Sequence, residues 1–256
     1  MNVAITGAGS GIGRALALEC ARRGDALFLC SRGGGRLDET VRLCREAGAA
    51  VSAARLDVCD GNAVRDWIES ADAAAPLDLV VANAGVSTGE ETEENVRRTF
   101  VVNVDGTVNT VLPAIGVFRR RIASGAPAGC SPQILIVSSM AGYGAVSSCP
   151  SYSATKSCLK TWALALRGAL RREGISVSAV CPGFVRSRIT DRNTCPMPFF
   201  MEADEAARRI LRGARRRKGV IAFPWPMRLA AWFLSCMPWR VWGFFDSFVP
   251  AKVSKK

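Results

Sequence analysis

Residues 1–15 read MNVAITGAGSGIGRA: a short aliphatic run, a glycine-rich turn, and the start of a helical pattern. The run "NVAIT" (2–6) has the β-branched, apolar character of a buried strand. The turn that follows supplies Gly7, Gly9, Ser10, Gly11, Ile12 and Gly13 at the mouth of a helix. There, free backbone N–H groups and the helix dipole can receive a pyrophosphate. Gly7, Gly11 and Gly13 are spaced G-x-x-x-G-x-G; a strict G-x-G-x-x-G counted from Gly7 would need glycine where Ile12 stands. A strand-to-helix turn without a ligand would also use glycine. Its place at the head of an alternating chain favours nucleotide binding.

That alternation continues to residue 223. Apolar runs at 26–30, 51–56, 77–82, 133–138, 176–181 and 219–223 are separated by longer helical patterns. Seven strands joined by helices imply β-α-β units, because parallel neighbours need a crossover. The predicted fold is α/β: a doubly wound Rossmann fold with a seven-stranded, mostly parallel sheet and helices on both faces. The 256 residues suit one such domain, with 186–218 as a lid and helix region and 223–250 as an aromatic C-terminal extension. The segment "SGAPAGCSP" (124–132) is expected to be a surface loop.

Composition narrows the function. The ten cysteines include no C-x-x-C, and there is no histidine, so neither a zinc set nor a thioredoxin-like pair is supported, and no metal site is expected. Reduced, buried thiols in a reducing compartment fit better. A strand beginning at residue 2 leaves no room for a signal peptide, so a cytoplasmic protein is expected. The net charge of +12 admits nucleic acid, an anionic membrane or an anionic ligand. No nucleic-acid motif accompanies it, and the densest basic run, "RRILRGARRRKG" (208–219), reads first as a solvated helix face.

The end of the second strand tests which nucleotide is bound. An acid about 20 residues past the glycines would bind a free ribose 2′-hydroxyl. Here Ser31 and Arg32 stand in its place, a hydroxyl and a guanidinium suited to a 2′-phosphate. NADP(H) is therefore expected over NAD(H), although Arg32 would look the same as a solvated loop residue.

Tyr152 and Lys156 lie four apart in a helical stretch, on one face. With no imidazole in the chain, a tyrosine assisted by a neighbouring ammonium is the expected proton carrier. Y-x-x-x-K also occurs as a surface pair, and its company raises it. Ser138 and Ser139 follow the fifth strand, "ANAG" (82–85) ends the fourth, and Asn103 sits in a predicted helix.

Together and in this order, T-G-x-x-x-G-x-G at 6–13, N-A-G at 83–85, Ser139, Y-x-x-x-K at 152–156 and "CPGFV" at 181–185 resemble the short-chain dehydrogenase/reductase family over about residues 2–190. The resemblance implies a tetrad in which Tyr152 is the general acid/base and Ser139 orients the reacting oxygen. Lys156 would hold the nicotinamide ribose and lower the tyrosine pKa, and Asn103 would help position the lysine through a relay water. It further implies cofactor contacts at Asp57, Val58, Asn83, Ala84, Gly85, Pro182, Gly183, Val185 and Ser187. Ala82 replaces the family's first asparagine, and Ser187 stands one residue beyond its usual threonine.

The expected function is an NADP(H)-dependent oxidoreductase interconverting a carbonyl and a secondary alcohol by hydride transfer. Met197, Phe199, Phe200 and Met201 form either an apolar lid, with Arg186 and Arg188 nearby, or a structural loop; as a lid, together with the tail, they suggest a lipid-like small-molecule substrate. A cofactor-binding regulator that has lost the reaction is the alternative. The family resemblance implies a homodimer or homotetramer. The tail "FPWPMRLAAWFLSCMPWRVWGFFDSFVP" (223–250) is interrupted by charges and Pro238, so two short helices are expected rather than a span. They would cover the cleft, meet another subunit or touch a membrane peripherally.

Overall fold

The computed structural model describes residues 1–125, 132–192 and 196–238. Its seven strands are β1 (Asn2–Thr6), β2 (Ala26–Ser31), β3 (Val51–Arg55), β4 (Leu79–Ala82), β5 (Gln133–Val137), β6 (Ser176–Pro182) and β7 (Val220–Phe223). They form one sheet in the order 3-2-1-4-5-6-7, and each ladder between neighbours is parallel. Strand order reverses between β1 and β4, which opens a crevice at their carboxyl ends.

Side-chain alternation explains the two layers of helices. Val3, Ile5, Leu27, Leu29, Val81 and Leu135 point to one face, where α1 (Gly11–Ala21), α2 (Gly34–Glu46) and α7 (Ala203–Arg215) bury their apolar sides. Ala4, Val80, Ile134, Ile136 and Val177 point to the other, under α3 (Gly61–Ala74), α5 (Gly106–Ala123) and α6 (Pro150–Leu170). The basic run falls on α7. Ala206, Ala207, Ile210 and Leu211 are buried, while Arg208, Arg212 and Arg215 are exposed, so the solvated-face reading holds.

α4 (Glu93–Phe100) passes through a π-helical turn at Val101–Asp105 into α5. The whole stretch Glu93–Ala123 is long and apolar enough to cross a membrane. However, Val111, Ala114, Ile115 and Phe118 pack it onto the sheet, as expected of a core helix. Of the free cysteines, Cys20, Cys30, Cys44 and Cys181 are buried, but Cys158 and Cys236 are exposed. The expectation of buried thiols therefore holds only in part.

The first of the two expected tail helices is α8 (Trp225–Ser235). The second, and most of the loop at 124–132, lie outside the described residues.

Phe118 is fully buried between α5 and the sheet. Phe118→Ala should lower the unfolding free energy by about 3–5 kcal/mol, read from urea denaturation.

Candidate active site

The turn after β1 is shaped by backbone that only glycine permits. Gly7 has φ +68°, and a Cβ there would lie 2.9 Å from Ala84 Cα. Gly13 sits behind the turn rather than on the cleft, and a Cβ on it would collide with the Gly7 carbonyl oxygen. Its job is to let α1 approach β1. Ser10 precedes α1 without a side-chain cap, and no acid occupies the first turn. The helix therefore presents uncapped N–H donors beside Gly11 and Ile12, which line the cleft. An open glycine cradle with orphan donors fits a dinucleotide pyrophosphate.

β4 is tied to this turn by hydrogen bonds. The Asn83 and Ala84 N–H groups donate to Thr6 Oγ1 at 3.0 and 3.2 Å, and Asn83 Nδ2 donates to the Thr6 carbonyl at 2.9 Å. Asn83, Ala84 and Gly85 thereby become one wall of the cleft.

The cleft has a volume of about 330 Å3. Besides the residues named, it is lined by Gly7, Gly9, Ser10, Ser31, Arg32, Val58, Ser139, Tyr152, Lys156, Pro182, Gly183, Val185 and Ser187. Three residues expected from the sequence do not line it: Gly13, Asp57 and Asn103. Asp57 accepts the Cys59 N–H at 3.0 Å and lies 3.5 Å from the Arg32 guanidinium. Burial would raise its carboxyl, but the Cys59 amide and Arg32 overcome that and hold it below the usual range. The Arg32–Asp57 pair is half exposed, an arrangement worth little by itself, so Arg32 remains open to a stronger anion.

At the reactive end, Tyr152 and Lys156 enter from α6 and Ser139 from the end of β5. Lys156 is buried, and its Nζ donates to the Val137 carbonyl at 2.9 Å while lying 5.6 Å from the Tyr152 ring centre. Burial pushes the Tyr152 phenol up to about 12, against a hydrogen bond from Ser139 that favours the phenolate. Lys156 is not among the causes of that shift. Burial outweighs the Ser139 hydrogen bond.

Asn103 is fully buried in the π-turn. Its Oδ1 accepts the Val86 N–H at 2.7 Å, and its Nδ2 donates to the Val86 carbonyl and to Thr155 Oγ1 at 3.0 and 3.1 Å. The amide is thus committed to the strand-end loop and to the residue before Lys156. Gly85 lies against both Asn103 Oδ1 and Lys156 Nζ.

Ser138 lines the cleft wall, with its hydroxyl donating to the Lys156 carbonyl at 2.6 Å. The next turn, Met140–Tyr143, runs so close to α6 that a Cβ on Gly142 would stand 2.6 Å from that same carbonyl oxygen.

Several lining residues escaped sequence reasoning, among them Arg36, Arg98 and Thr190. Arg36 had a signal: it follows Arg32 by four residues across the start of α2, and its guanidinium lies over Gly33. Thr190 had none, because its role depends on a loop. It is buried, donates to the Val185 carbonyl at 2.9 Å and accepts the Ser187 N–H at 2.8 Å. The expected lid is divided. Met201 is in the core, its N–H bonded to the Phe184 carbonyl, whereas Phe199 and Phe200 are exposed and do not line the cleft.

A parallel sheet that brings a glycine turn and a Ser–Tyr–Lys set into one switch-point cleft defines a nucleotide-binding oxidoreductase scaffold. The family model for short chain dehydrogenases matches residues 1–196, and the chain belongs to that family. An uncharacterized oxidoreductase of Myxococcus xanthus is 36% identical over 242 residues, covering 91% of each chain. A granaticin polyketide synthase putative ketoacyl reductase of Streptomyces violaceoruber is 34% identical, over 73% of this chain and 69% of that one. Among solved structures, a short-chain dehydrogenase from Sphingobium yanoikuyae in complex with NADPH superposes with a TM-score of 0.77 at 29% identity, covering 99% and 98% of the two chains. One from Burkholderia phymatum in complex with NAD gives 0.81 at 26%, covering 99% and 97%.

Burial also pushes the Lys156 ammonium down to about 8 from an ordinary 10.5. Between those values the unfolded chain keeps a proton that the folded chain has released, so this group's contribution to stability rises with pH across that window. Relative to Lys156→Met, the wild-type unfolding free energy should gain up to about 1.4 kcal/mol per pH unit there, as measured by urea denaturation on either side of pH 9.

Proposed function

We propose that the protein is an NADP(H)-dependent oxidoreductase that interconverts a carbonyl and a secondary alcohol, with Tyr152 as general acid/base. One observation carries this reading: Ser139, Tyr152 and Lys156 line the same cleft as the uncapped start of α1. When bound, the nicotinamide supplies or accepts the hydride at the substrate carbon. In the reducing direction the protonated Tyr152 phenol gives its proton to the oxygen that becomes an alcohol, and the Ser139 hydroxyl holds that oxygen. Lys156 offers donors to the ribose, and its cation together with the positive charge of an oxidised nicotinamide would favour the phenolate left behind. Asn103 acts as a positioning residue through Thr155 and Val86.

Preference for the 2′-phosphorylated cofactor is supported by Ser31, Arg32 and Arg36 at one end of the cleft. The start of α2 adds to it, because Gly33 provides no side-chain cap there and the first turn holds no acid. The NADPH complex of the Sphingobium relative and the NAD complex of the Burkholderia relative both support the nicotinamide reading.

Ketoacyl reductase relatives and the exposed Phe199 and Phe200 beyond the cleft support an apolar, lipid-like carbonyl substrate. Exposed Leu112 on α5 and Leu164 on α6 support assembly into a homodimer or homotetramer. The cysteine usage supports the cytoplasm.

Tyr152→Phe should cut carbonyl reduction by about 10²–10⁴-fold while leaving NADPH affinity within a few-fold. Retained turnover would overturn the assignment of the acid. Replacing Arg32 and Arg36 together by alanine should raise the NADPH dissociation constant at least about tenfold and leave NADH nearly unchanged, as read by fluorescence titration.

A further inference from the structure

α8 leaves the edge strand β7 and packs on the Met140–Tyr143 turn. Its inner side reaches the cleft wall, since the Met227 thioether lies against Gly183. Its outer side has no cover among the described residues. Trp225 is 73% exposed, and Leu229, Trp232 and Phe233 are each 56% exposed. At a helical advance of 100° per residue these four fall within about a quarter of the circumference. They offer on the order of 500 Å2 of apolar surface.

Two features identify what this face meets. The first is size: from the described residues the patch is of the order of the largest apolar patch on a monomer, which is often functional, and falls short of the roughly 800 Å2 that each partner contributes to a stable protein interface. The second is charge. No Asp or Glu occurs between residues 219 and 238. Arg228 is exposed on α8 and acts on the Tyr143 phenol in the turn beneath, where Lys160 lies 3.8 Å from the Tyr143 ring centre. The following residues, 239–256, carry Arg240, Lys252, Lys255 and Lys256 against Asp246. A second copy of this +12 chain would bring like charge to the same place. An anionic surface would be attracted, and tryptophan beside arginine suits a boundary between lipid and water.

We propose that the outer face of α8 is a docking surface for an anionic phospholipid membrane. The helix lies in the interface, with Trp225, Leu229, Trp232 and Phe233 inserted among the headgroups and Arg228 at headgroup level. At 11 residues it is far too short to span, so attachment is peripheral and reversible. Because the inner side of the same helix borders the cleft, docking sets the substrate end of the site at the lipid surface.

The test is co-sedimentation of the full chain with vesicles of phosphatidylcholine containing phosphatidylglycerol, against vesicles of phosphatidylcholine alone. Wild type should bind the anionic vesicles, bind the neutral ones at least about fivefold more weakly, and release at high salt. A W232E/F233E variant should lose at least about tenfold in partitioning, with unchanged circular dichroism and thermal midpoint. Failure of wild type to bind anionic vesicles, or undiminished binding by the variant, would overturn the proposal. So would a wild-type oligomer that the variant converts to monomer, since that assigns the face to a second copy. Binding is read without turnover, so these failures leave the reductase reading standing, while loss of activity in Tyr152→Phe speaks only to the latter.

Discussion

The hydrogen-bond knot between Thr6 and Asn83 is the constraint on which the rest of the site depends. The strand order of the sheet reverses between β1 and β4, and nothing in a parallel ladder by itself fixes how the chain departs from the two strand ends. Thr6 Oγ1 accepts two N–H groups from the end of β4, while Asn83 returns a donor to the Thr6 carbonyl. Buried polar groups satisfied on both sides hold their geometry, because leaving either unpaired costs about 1–3 kcal/mol. The crevice therefore has fixed walls before any ligand arrives. The glycine turn hangs from one wall and Gly85 from the other, and Asn103 Oδ1 and Lys156 Nζ lie close beside Gly85.

The reactive end works by opposing tendencies. Burial holds the phenol protonated and at the same time weakens the proton affinity of the lysine. Both effects come from one cause, removal from water, which disfavours charge on either group. The phenol is therefore protonated at neutral pH.

Much of this architecture was legible in the sequence because the information is local. Seven short apolar runs separated by helical periods fix a parallel sheet, and each observed strand lies within a residue or two of its expected bounds. The glycine turn, Ser139, Tyr152 and Lys156 were legible for a similar reason: each sits at a strand end or on a single helix face, where spacing in sequence maps directly to position. What escaped depends on long-range geometry. Asn103 was recognised, but its partners, Val86 and Thr155, lie on two other elements and could not be paired from spacing. Arg98 on α4 and Thr190 in an irregular loop reach the cleft only through tertiary packing that spacing does not show. Met201 reads as part of an apolar lid, yet a bridge to Val185 draws it into the core.

The close approach at Gly142 bears on how steady the site is. Ser139 rides on the turn that begins at Met140, Tyr152 and Lys156 ride on α6, and between them main chain rests almost directly on main chain. With no side chain as spacer, rotamer hopping does not enter the separation of the two elements. Only bending of the backbone does, and that is a much stiffer coordinate. The distance between the Ser139 and Tyr152 hydroxyls is buffered from thermal jitter in a way that a methyl-bearing residue at 142, forcing the elements apart, would undo.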